Sequence, residues 1–88
     1  MQTAFTDPAW GDYLYWQAND ADTLQKINDL IKEIKRAPFK GTGKPEPLKG
    51  NLAGYWSRRI SGEHRLVYRI SGTKPNQVLT IIQARFHY

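Results

Sequence analysis

The chain has 88 residues, no cysteine and a formal net charge of +5. This length predicts a single domain over residues 1–88, and the lack of cysteine excludes disulfides, thiol nucleophiles and zinc sites built on thiolates. Its two histidines, His64 and His87, do not have the spacing of a metal-binding pair, so we expect neither a metal nor another cofactor.

The sequence begins with a short predicted strand and a first helix. Residues 2–5 (QTAF) are suited to a strand, and Thr6 or Asp7 can cap the helix that follows. Pro8 lies in the first turn of that helix, where a missing backbone N–H costs no hydrogen bond. A helix is therefore expected to begin near residue 7.

Aromatic residues dominate this first helix. At helical spacing, Trp10, Tyr13 and Leu14 share a face, whereas Tyr15 and Trp16 point elsewhere. We interpret these residues as core plus an edge that faces a partner, rather than as an aromatic binding box.

A second helix is predicted from near Asp20 or Asp22 to about Arg36, and it stops before Pro38. Its apolar residues have helical spacing: Leu24, Ile27, Leu30, Ile31 and Ile34. Because one short turn separates the two helices, they are expected to form an antiparallel hairpin.

Residues 37–54 form the longest predicted loop and contain four of the seven glycines and three of the five prolines. Three lysines, Lys40, Lys44 and Lys49, surround its single acidic residue, Glu46. A loop of this length in a small domain is either a functional segment or a misassigned element. A solvated surface loop explains the charges equally well at this point.

Three strands are predicted after the loop, over residues 54–61, 64–70 and 77–88, and their short turns make neighbours antiparallel. Alternation in the middle strand separates Arg65, Val67 and Arg69 from His64, Leu66, Tyr68 and Ile70. In the last strand it separates Gln83, Arg85 and His87 from Thr80, Ile82, Ala84, Phe86 and Tyr88. The helical hairpin is expected to cover the more apolar face. The cationic face left open then carries Arg65, Arg69, Arg85 and His87.

Charge is distributed unevenly along the chain. Residues 1–33 contain two lysines and six acidic residues, a net charge of −4, whereas residues 34–88 contain eleven lysines and arginines and two glutamates, a net charge of +9. Clustered cations gain free energy by displacing condensed counterions from phosphate groups, so we expect a polyanionic partner, either nucleic acid or an acidic protein segment. With no apolar run of about 20 residues and no leader-like start, the protein is expected to be cytoplasmic and to have no membrane partner.

Glu46, Arg65 and His87 have the chemistry of a base, a charge stabiliser and an acid. An imidazole has an ordinary pKa of about 6.5, which suits proton transfer. One acid, one base and one arginine are sufficient for metal-free cleavage of RNA by its own 2′-hydroxyl, a reaction that DNA cannot undergo. Spacing does not establish that the three residues converge, and a lone histidine near a chain end is more often an incidental surface residue.

Three stretches carry a family resemblance: DYLYWQ at residues 12–17, GKPEPLKGNLAGYWSRRISGEHRLVY at residues 43–68, and HY at residues 87–88. They resemble the YoeB family of bacterial toxins, within the RelE and ParE superfamily, and the resemblance spans nearly the whole chain. It implies an α+β fold of the microbial-ribonuclease type. It also implies a small endoribonuclease that enters the ribosomal A site, cleaves mRNA during translation and is inhibited by a co-expressed antitoxin.

The resemblance also assigns roles to individual residues. The family's general base falls on Glu46, and its phosphate-stabilising arginine falls on Arg65. The general acid falls on His87, and the terminal aromatic residue of the site falls on Tyr88. Two further cations, Lys49 and Arg59, stand where relatives have cationic residues close to the RNA. We interpret His64, which alternation puts opposite Arg65, as structural or exposed.

The partners implied by the resemblance are a YefM-like antitoxin with an acidic C-terminal segment, mRNA, and the ribosome with its RNA; a homodimer is a further possibility. The main departure from the family lies in residues 69–83, where the final turn is longer than expected. This hairpin could change ribosome contacts, but it is expected to lie away from Glu46 and Arg65.

Two alternative functions remain open from the sequence. A non-catalytic inhibitor that binds the ribosome or RNA through its basic face would tolerate loss of Glu46 or His87. A relative that poisons DNA gyrase, as ParE-like toxins do, would have no use for an acid and base set.

Overall fold

The residues described by the structure, a computed structural model, are 1–87, and they form two helices and a five-stranded sheet. In chain order the elements are β1 (Gln2–Phe5), α1 (Asp7–Asn19), α2 (Ala21–Arg36), β2 (Glu46–Pro47), a 3₁₀ helix (Gly50–Leu52), β3 (Trp56–Arg59), β4 (Arg65–Ser71) and β5 (Val78–Gln83). The strand order is β1-β5-β4-β3-β2. β1 is parallel to β5, and all other neighbours are antiparallel. The predicted α+β class is confirmed.

Polar caps define the starts of both helices. Thr6 and Asp20 each accept a hydrogen bond from the backbone N–H three residues later, which satisfies a donor that the helix leaves without a partner. Because Asp20 alone separates the helices, α2 folds back along α1, and the Tyr13 hydroxyl donates to Asn28 Oδ1 across the pair at 2.8 Å. The predicted helical hairpin is confirmed. Neither helix in the described part of the chain is long and apolar enough to cross a membrane.

The helical hairpin covers one face of the sheet and buries the hydrophobic core there. The buried core residues are Ala9, Trp16, Ile27, Leu30, Ile34, Ile60, Leu66, Tyr68, Leu79, Ile81 and Ala84. From α2, Ile27, Leu30 and Ile34 point inward, as their spacing predicts. The face of the sheet opposite the helices is called the open face below; Ser57 and Val67, in the middle of this face, are nonetheless buried.

The inward face of α1 differs from the predicted one. Trp16 is only 7% exposed, whereas Trp10 is 47% exposed and Leu14 is 41% exposed. Trp16 lies two helical turns after the fully buried Ala9, so these two residues face the sheet together. The Trp16 indole N–H also donates to the carbonyl of Ala84 at 2.8 Å. The expectation that Trp16 points away from the core is therefore wrong.

The last strand is shorter than predicted and is irregular. It ends at Gln83 rather than continuing to the end of the chain. Val67 pairs with Gln83, but its neighbour Tyr68 pairs with Ile81, so Ile82 is an extra residue in β5. This bulge breaks the alternation, and Ala84 joins Ile81 in the core instead of sharing a face with Ile82. The predicted grouping by face is therefore wrong for residues 80–84.

The segment predicted as one loop, residues 37–54, contains regular structure. Glu46 and Pro47 form β2, an edge strand that pairs with Ser57 and Trp56 of β3. A 3₁₀ helix, Gly50–Leu52, follows it. Glu46 therefore stands on a strand of the sheet and not on an unstructured loop.

Candidate active site

A row of four paired residues crosses the open face. Glu46 in β2 pairs with Ser57, Ser57 pairs with Val67, and Val67 pairs with Gln83 in β5. Directly paired residues point to the same face of a sheet. Three steps of roughly 4.8 Å separate the strands of Glu46 and Gln83, so the row spans about 15 Å.

Two arginines lie beside this row. Arg59 in β3 pairs directly with Arg65 in β4, two residues along from Ser57 and Val67, so both arginines belong to the open face. Arg59 is exposed, whereas Arg65 is only 9% exposed. An exposed Arg65 was expected from the sequence, and this expectation is wrong.

The burial of Arg65 follows from its hydrogen bonds. Its Nη1 donates to the carbonyls of Ser61 at 2.7 Å, His64 at 3.1 Å and Gly62 at 3.3 Å, all in the turn between β3 and β4. A guanidinium has five N–H donors in a rigid plane, so fixing one nitrogen orients the whole group. Arg65 is therefore a fixed cation at the edge of the open face.

The C-terminal tail, residues 84–87, turns back onto the start of β4. The carbonyl of Phe86 accepts hydrogen bonds from the N–H of Arg65 at 3.0 Å and from Gln83 Nε2 at 3.1 Å. The N–H of Phe86 donates to Nδ1 of His64 at 2.7 Å. The exposed His87 directly follows Phe86, so the tail brings it beside Arg65.

Arg85 does not join Arg65 on the open face, contrary to the sequence prediction. Its guanidinium carbon lies 3.4 Å from the centre of the Tyr15 ring in α1 and 4.4 Å from the centre of the Phe86 ring. Its Nε is buried without a hydrogen-bond partner, and the contacts with the two rings compensate in part. Arg85 therefore holds the tail against α1.

Arg69, by contrast, is exposed, and its guanidinium carbon lies 5.5 Å from the centre of the Tyr55 ring. The prediction that Arg69 is on the exposed cationic face is confirmed.

Two candidate residues remain, Lys49 and Tyr88. Lys49 is exposed and lies at the start of the 3₁₀ helix, three residues after Glu46. Tyr88 lies outside the described residues. Pairing thus puts Glu46, Arg59 and Arg65 on the open face, and the tail brings His87 next to the backbone of Arg65, with Lys49 close by Glu46 in the chain. Their chemical roles stay predictions.

His64, predicted to be structural or exposed, is partly buried and makes packing contacts. Its ring packs edge to face on Trp16, with 4.9 Å between ring centres, and also contacts Phe86 at 5.7 Å. These contacts hold the ring on the α1 side of the sheet, opposite Arg65.

Arg58 is an important residue that the sequence analysis missed. It is fully buried and forms an ion pair with Glu33 of α2, with 2.7 Å between Nη1 and Oε1. It also donates to the carbonyls of Ala37, Lys40 and Thr42 at 2.6, 3.0 and 3.2 Å. Arg58 thus bonds at three points to the segment that leads to Glu46. Strand alternation, which puts Arg58 on the apolar face opposite Arg59, could have indicated a buried cation that needs an acidic partner.

The hydrogen bonds around Arg58 accompany changes in the pKa values of Glu33 and Tyr68. The pKa of Glu33 is lowered, chiefly because its carboxylate accepts hydrogen bonds from Thr42, with Arg58 adding to the effect. The pKa of Tyr68 is raised because the hydroxyl is buried, and Arg58 only partly offsets this. Tyr68 therefore stays protonated and donates to the carbonyl of Pro38 at 2.6 Å.

A metal site requires several ligand side chains that lie close together. Among residues 1–87, no three histidine, cysteine, aspartate or glutamate side chains are grouped closely enough to hold an ion. The charged groups that pairing puts on the open face near Glu46 are its carboxylate and the guanidinium groups of Arg59 and Arg65.

Comparison with known proteins identifies the family. Residues 5–88 match the model of the YoeB-like toxins of bacterial type II toxin-antitoxin systems. The toxin YoeB of Synechocystis is 59% identical over 100% of this chain and 98% of its own length. A YoeB/ParE toxin from Agrobacterium tumefaciens is also 59% identical, with a TM-score of 0.96 and full coverage of both chains.

Two structures from Staphylococcus aureus are similar over 100% of this chain and 98% of theirs. One is a YoeB dimer, 44% identical with a TM-score of 0.89, and the other is a heterotetrameric YoeB-YefM complex, 45% identical with a TM-score of 0.88. Identity at this level over the whole length, together with the family match, identifies the chain as a member of the YoeB-like toxins of type II toxin-antitoxin systems.

Proposed function

We propose that the chain is an endoribonuclease that cleaves mRNA in the ribosomal A site and thereby inhibits translation. The observation that supports this most is that Glu46 and Arg65 share one face of the sheet, while the tail that carries His87 is bonded to the backbone of Arg65. A carboxylate, a fixed cation and an imidazole are the groups that metal-free cleavage of RNA needs.

The reaction proceeds by attack of the RNA on itself. Glu46 takes the proton of the 2′-hydroxyl, and the 2′-oxygen forms a bond to the adjacent phosphorus. The bond from phosphorus to the 5′-oxygen breaks, and His87 donates a proton to that oxygen. The products are a 2′,3′-cyclic phosphate and a free 5′-hydroxyl, so no water or metal takes part in this step.

Arg65 stabilises the charge that develops on the phosphate oxygens. Its guanidinium is held by the carbonyls of Ser61, Gly62 and His64, so it does not have to reorganise during the reaction. Arg59 and Lys49, both exposed, bind the flanking phosphates and fix the register of the RNA. Tyr88 stacks on a base next to the cleaved bond.

The ribosome supplies the alignment of the substrate. Glu46 is exposed on an edge strand of two residues, so a substrate beside it is open to solvent. In-line geometry between the 2′-oxygen and the departing 5′-oxygen therefore has to come from outside, and alignment of this kind can contribute several kcal/mol to a reaction. The basic region of residues 34–88 binds the ribosomal RNA around the A site.

The decisive experiment compares one defined mRNA alone, with vacant ribosomes and in an initiated complex, with the cleavage ends mapped by primer extension. We expect efficient cleavage only in the initiated complex, at the A-site codon, and unchanged cleavage after a metal chelator is added. Glu46→Gln and His87→Gln should each lower the rate by about 10²- to 10⁴-fold. Asp29→Asn, at an exposed position of α2, is the matched control and should cleave normally.

Two results would contradict the proposal. Equal cleavage in all three mixtures would exclude ribosome dependence. Inhibition of translation without new mRNA ends, retained in Glu46→Gln, would favour a non-catalytic inhibitor instead.

We also propose that an antitoxin of the YefM type neutralises the toxin. YoeB of Staphylococcus aureus forms a complex with YefM, and residues 34–88 of this chain have a net charge of +9. An acidic C-terminal segment that folds over this region gains from the opposite charge. Affinity measured at rising salt concentration tests this, and an affinity independent of salt would exclude a mainly electrostatic contact.

A homodimer of the free toxin is proposed on similar grounds, because a YoeB dimer is known from Staphylococcus aureus. Sedimentation of the purified chain over a range of concentrations tests it, and a monomer at all concentrations would contradict it.

A further inference from the structure

Phe86 has a backbone conformation that a residue with a side chain seldom adopts. Its φ angle is +65°, in the left-handed region that favours glycine. Such a conformation persists only where the surroundings impose it, and it is common at functional sites. The question is which groups hold Phe86 in this conformation, since the next residue is His87.

Hydrogen bonds on both sides of Phe86 provide the constraint. Its carbonyl accepts from the N–H of Arg65 and from the side chain of Gln83. Its N–H donates to Nδ1 of His64, at 2.7 Å the shortest of the three bonds. Nδ1 accepts this bond only when it carries no proton, so the contact requires the tautomer of His64 with its hydrogen on Nε2.

The ring of His64 is itself held in place. It packs edge to face against Trp16, whose indole N–H donates to the carbonyl of Ala84. The N–H of Ala84 in turn donates to Oδ2 of Asp12 at 3.0 Å. Both the acceptor on His64 and the start of the tail are thus fixed to α1.

We propose that His64 is a positioning residue of the active site, which acts through the backbone of Phe86. Its Nδ1 holds Phe86 in the left-handed conformation and thereby sets the direction in which the chain presents His87 to the RNA. The inference rests on the proposed ribonuclease function, in which His87 is the general acid. His64 itself does not touch the substrate.

Two substitutions of His64 distinguish a role in positioning Phe86 from a role in packing on Trp16. His64→Phe keeps a ring against Trp16 but has no acceptor. His64→Asn loses the ring but keeps an oxygen close to the place of Nδ1, so it can accept the Phe86 N–H. Because a displacement of about 1 Å can cost about 100-fold in rate, we expect His64→Phe to lower the single-turnover rate on initiated ribosomes by about 10- to 100-fold. His64→Asn should stay within about fivefold of the unsubstituted protein.

A purely structural role predicts the opposite order, because His64→Asn is the variant that loses the packing on Trp16. Equal rates for His64→Phe and the unsubstituted protein would overturn the proposal, as would a greater loss of rate for His64→Asn than for His64→Phe. If His64→Phe does not fold, an ester in place of the amide between Arg85 and Phe86 removes the same donor while leaving His64 intact. The ester protein should show the same loss of rate, and full activity would overturn the proposal.

A spectroscopic measurement tests the contact without reference to cleavage. In ¹⁵N-labelled toxin, a hydrogen bond from the Phe86 N–H to Nδ1 gives a scalar coupling between the two nitrogen nuclei. The coupling should be present in the folded protein and absent in the ester protein, and its absence from the folded protein would overturn the proposal. If instead the coupling is present and no mRNA is cleaved, the proposed function fails, and the positioning of His87 for catalysis fails with it.

Discussion

The two segments that carry the candidate base and acid are anchored in different ways. Glu46 is reached through residues 37–45, which are held by the fully buried Arg58 and its ion pair with Glu33. His87 ends the C-terminal tail, which is held by Trp16, His64 and single hydrogen bonds, several of them at exposed positions. One anchor is a charged cluster within the fold, and the other is a set of contacts near the surface.

The two anchors differ in what their loss should change: the stability of the whole domain in one case and the position of the tail in the other. A buried cation with several acceptors is costly to leave unsatisfied, so the Glu46 segment is tied to the folding of the whole domain. Surface contacts of the tail contribute less to folding, and such segments open at low free-energy cost. We therefore expect damage at the first anchor to unfold the protein and damage at the second to displace the tail.

The largest effect is expected from Arg58→Leu. The substitution removes the Arg58 donor from three carbonyls and from Glu33, whose carboxylate keeps its hydrogen bond from Thr42, and removal of one partner of a buried ion pair typically costs about 3–5 kcal/mol. Because the side chain of Glu33 is 26% exposed, we expect a value near the lower end, about 3 kcal/mol. Urea denaturation measures the change in the free energy of unfolding.

Arg59→Leu is the matched control for this experiment. Arg59 is adjacent in the same strand and exposed, so its loss should change stability by about 0.5 kcal/mol or less. Equal losses for the two substitutions would refute the view that the Glu46 segment is anchored by Arg58.

An intermediate effect is expected from Trp16→Phe. The change removes the indole N–H that donates to the carbonyl of Ala84, and an unpaired buried carbonyl costs about 1–3 kcal/mol. Hydrogen exchange should rise in residues 84–87 and stay unchanged in residues 37–47, because only the tail loses a contact. Trp10→Phe, on the exposed side of the same helix, is the control and should leave both segments protected. A rise in both segments after Trp16→Phe would mean that the two anchors are coupled.

The helices and most of the strands are predictable from the sequence because their signals are local. Thr6 and Asp20 cap helices through the backbone next to them, and the apolar spacing of α2 selects its buried face. In β4, alternation puts Leu66 and Tyr68 in the core, where they are found. The family resemblance also gave a set of candidate residues, of which Glu46 and Arg65 lie on one face of the sheet.

The errors arise where distant residues decide the local structure. The bulge at Ile82 depends on how β5 pairs with β4, and no property of residues 77–88 alone requires it. β2 is only two residues long and exists because β3 offers it partners. Arg65 is buried because its side chain folds onto the preceding turn, while the tail returns over its backbone. Each of these depends on tertiary contacts, which periodicity does not describe.

The long turn between β4 and β5 lies away from Arg65, as expected. Arg65 is the first residue of β4, whereas the turn follows Ser71 at the other end of that strand. Six steps of about 3.3 Å along the extended strand, from Arg65 to Ser71, put the turn about 20 Å from Arg65. The turn therefore belongs to a different part of the surface from the candidate active site.

The smallest effect on the free energy of unfolding is expected from a change in pH. It tests the anchor of the Glu46 segment through the charge of Glu33. The pKa of Glu33 is lowered from its ordinary value of 4.5, chiefly by hydrogen bonds from Thr42, so its contribution to stability is complete above that value. The contribution is lost as the pH falls below 4.5 and passes through the lowered pKa of the folded state. The difference in unfolding free energy between the unsubstituted protein and Glu33→Gln should therefore shrink between about pH 6 and pH 3. The pKa of Asp20 is also lowered, by hydrogen bonds from Thr23. Because Asp20 is present in both proteins, its contribution cancels in the difference in unfolding free energy. Urea denaturation across this range measures the difference, and a constant difference would show that the charge of Glu33 does not contribute to the anchor of the Glu46 segment.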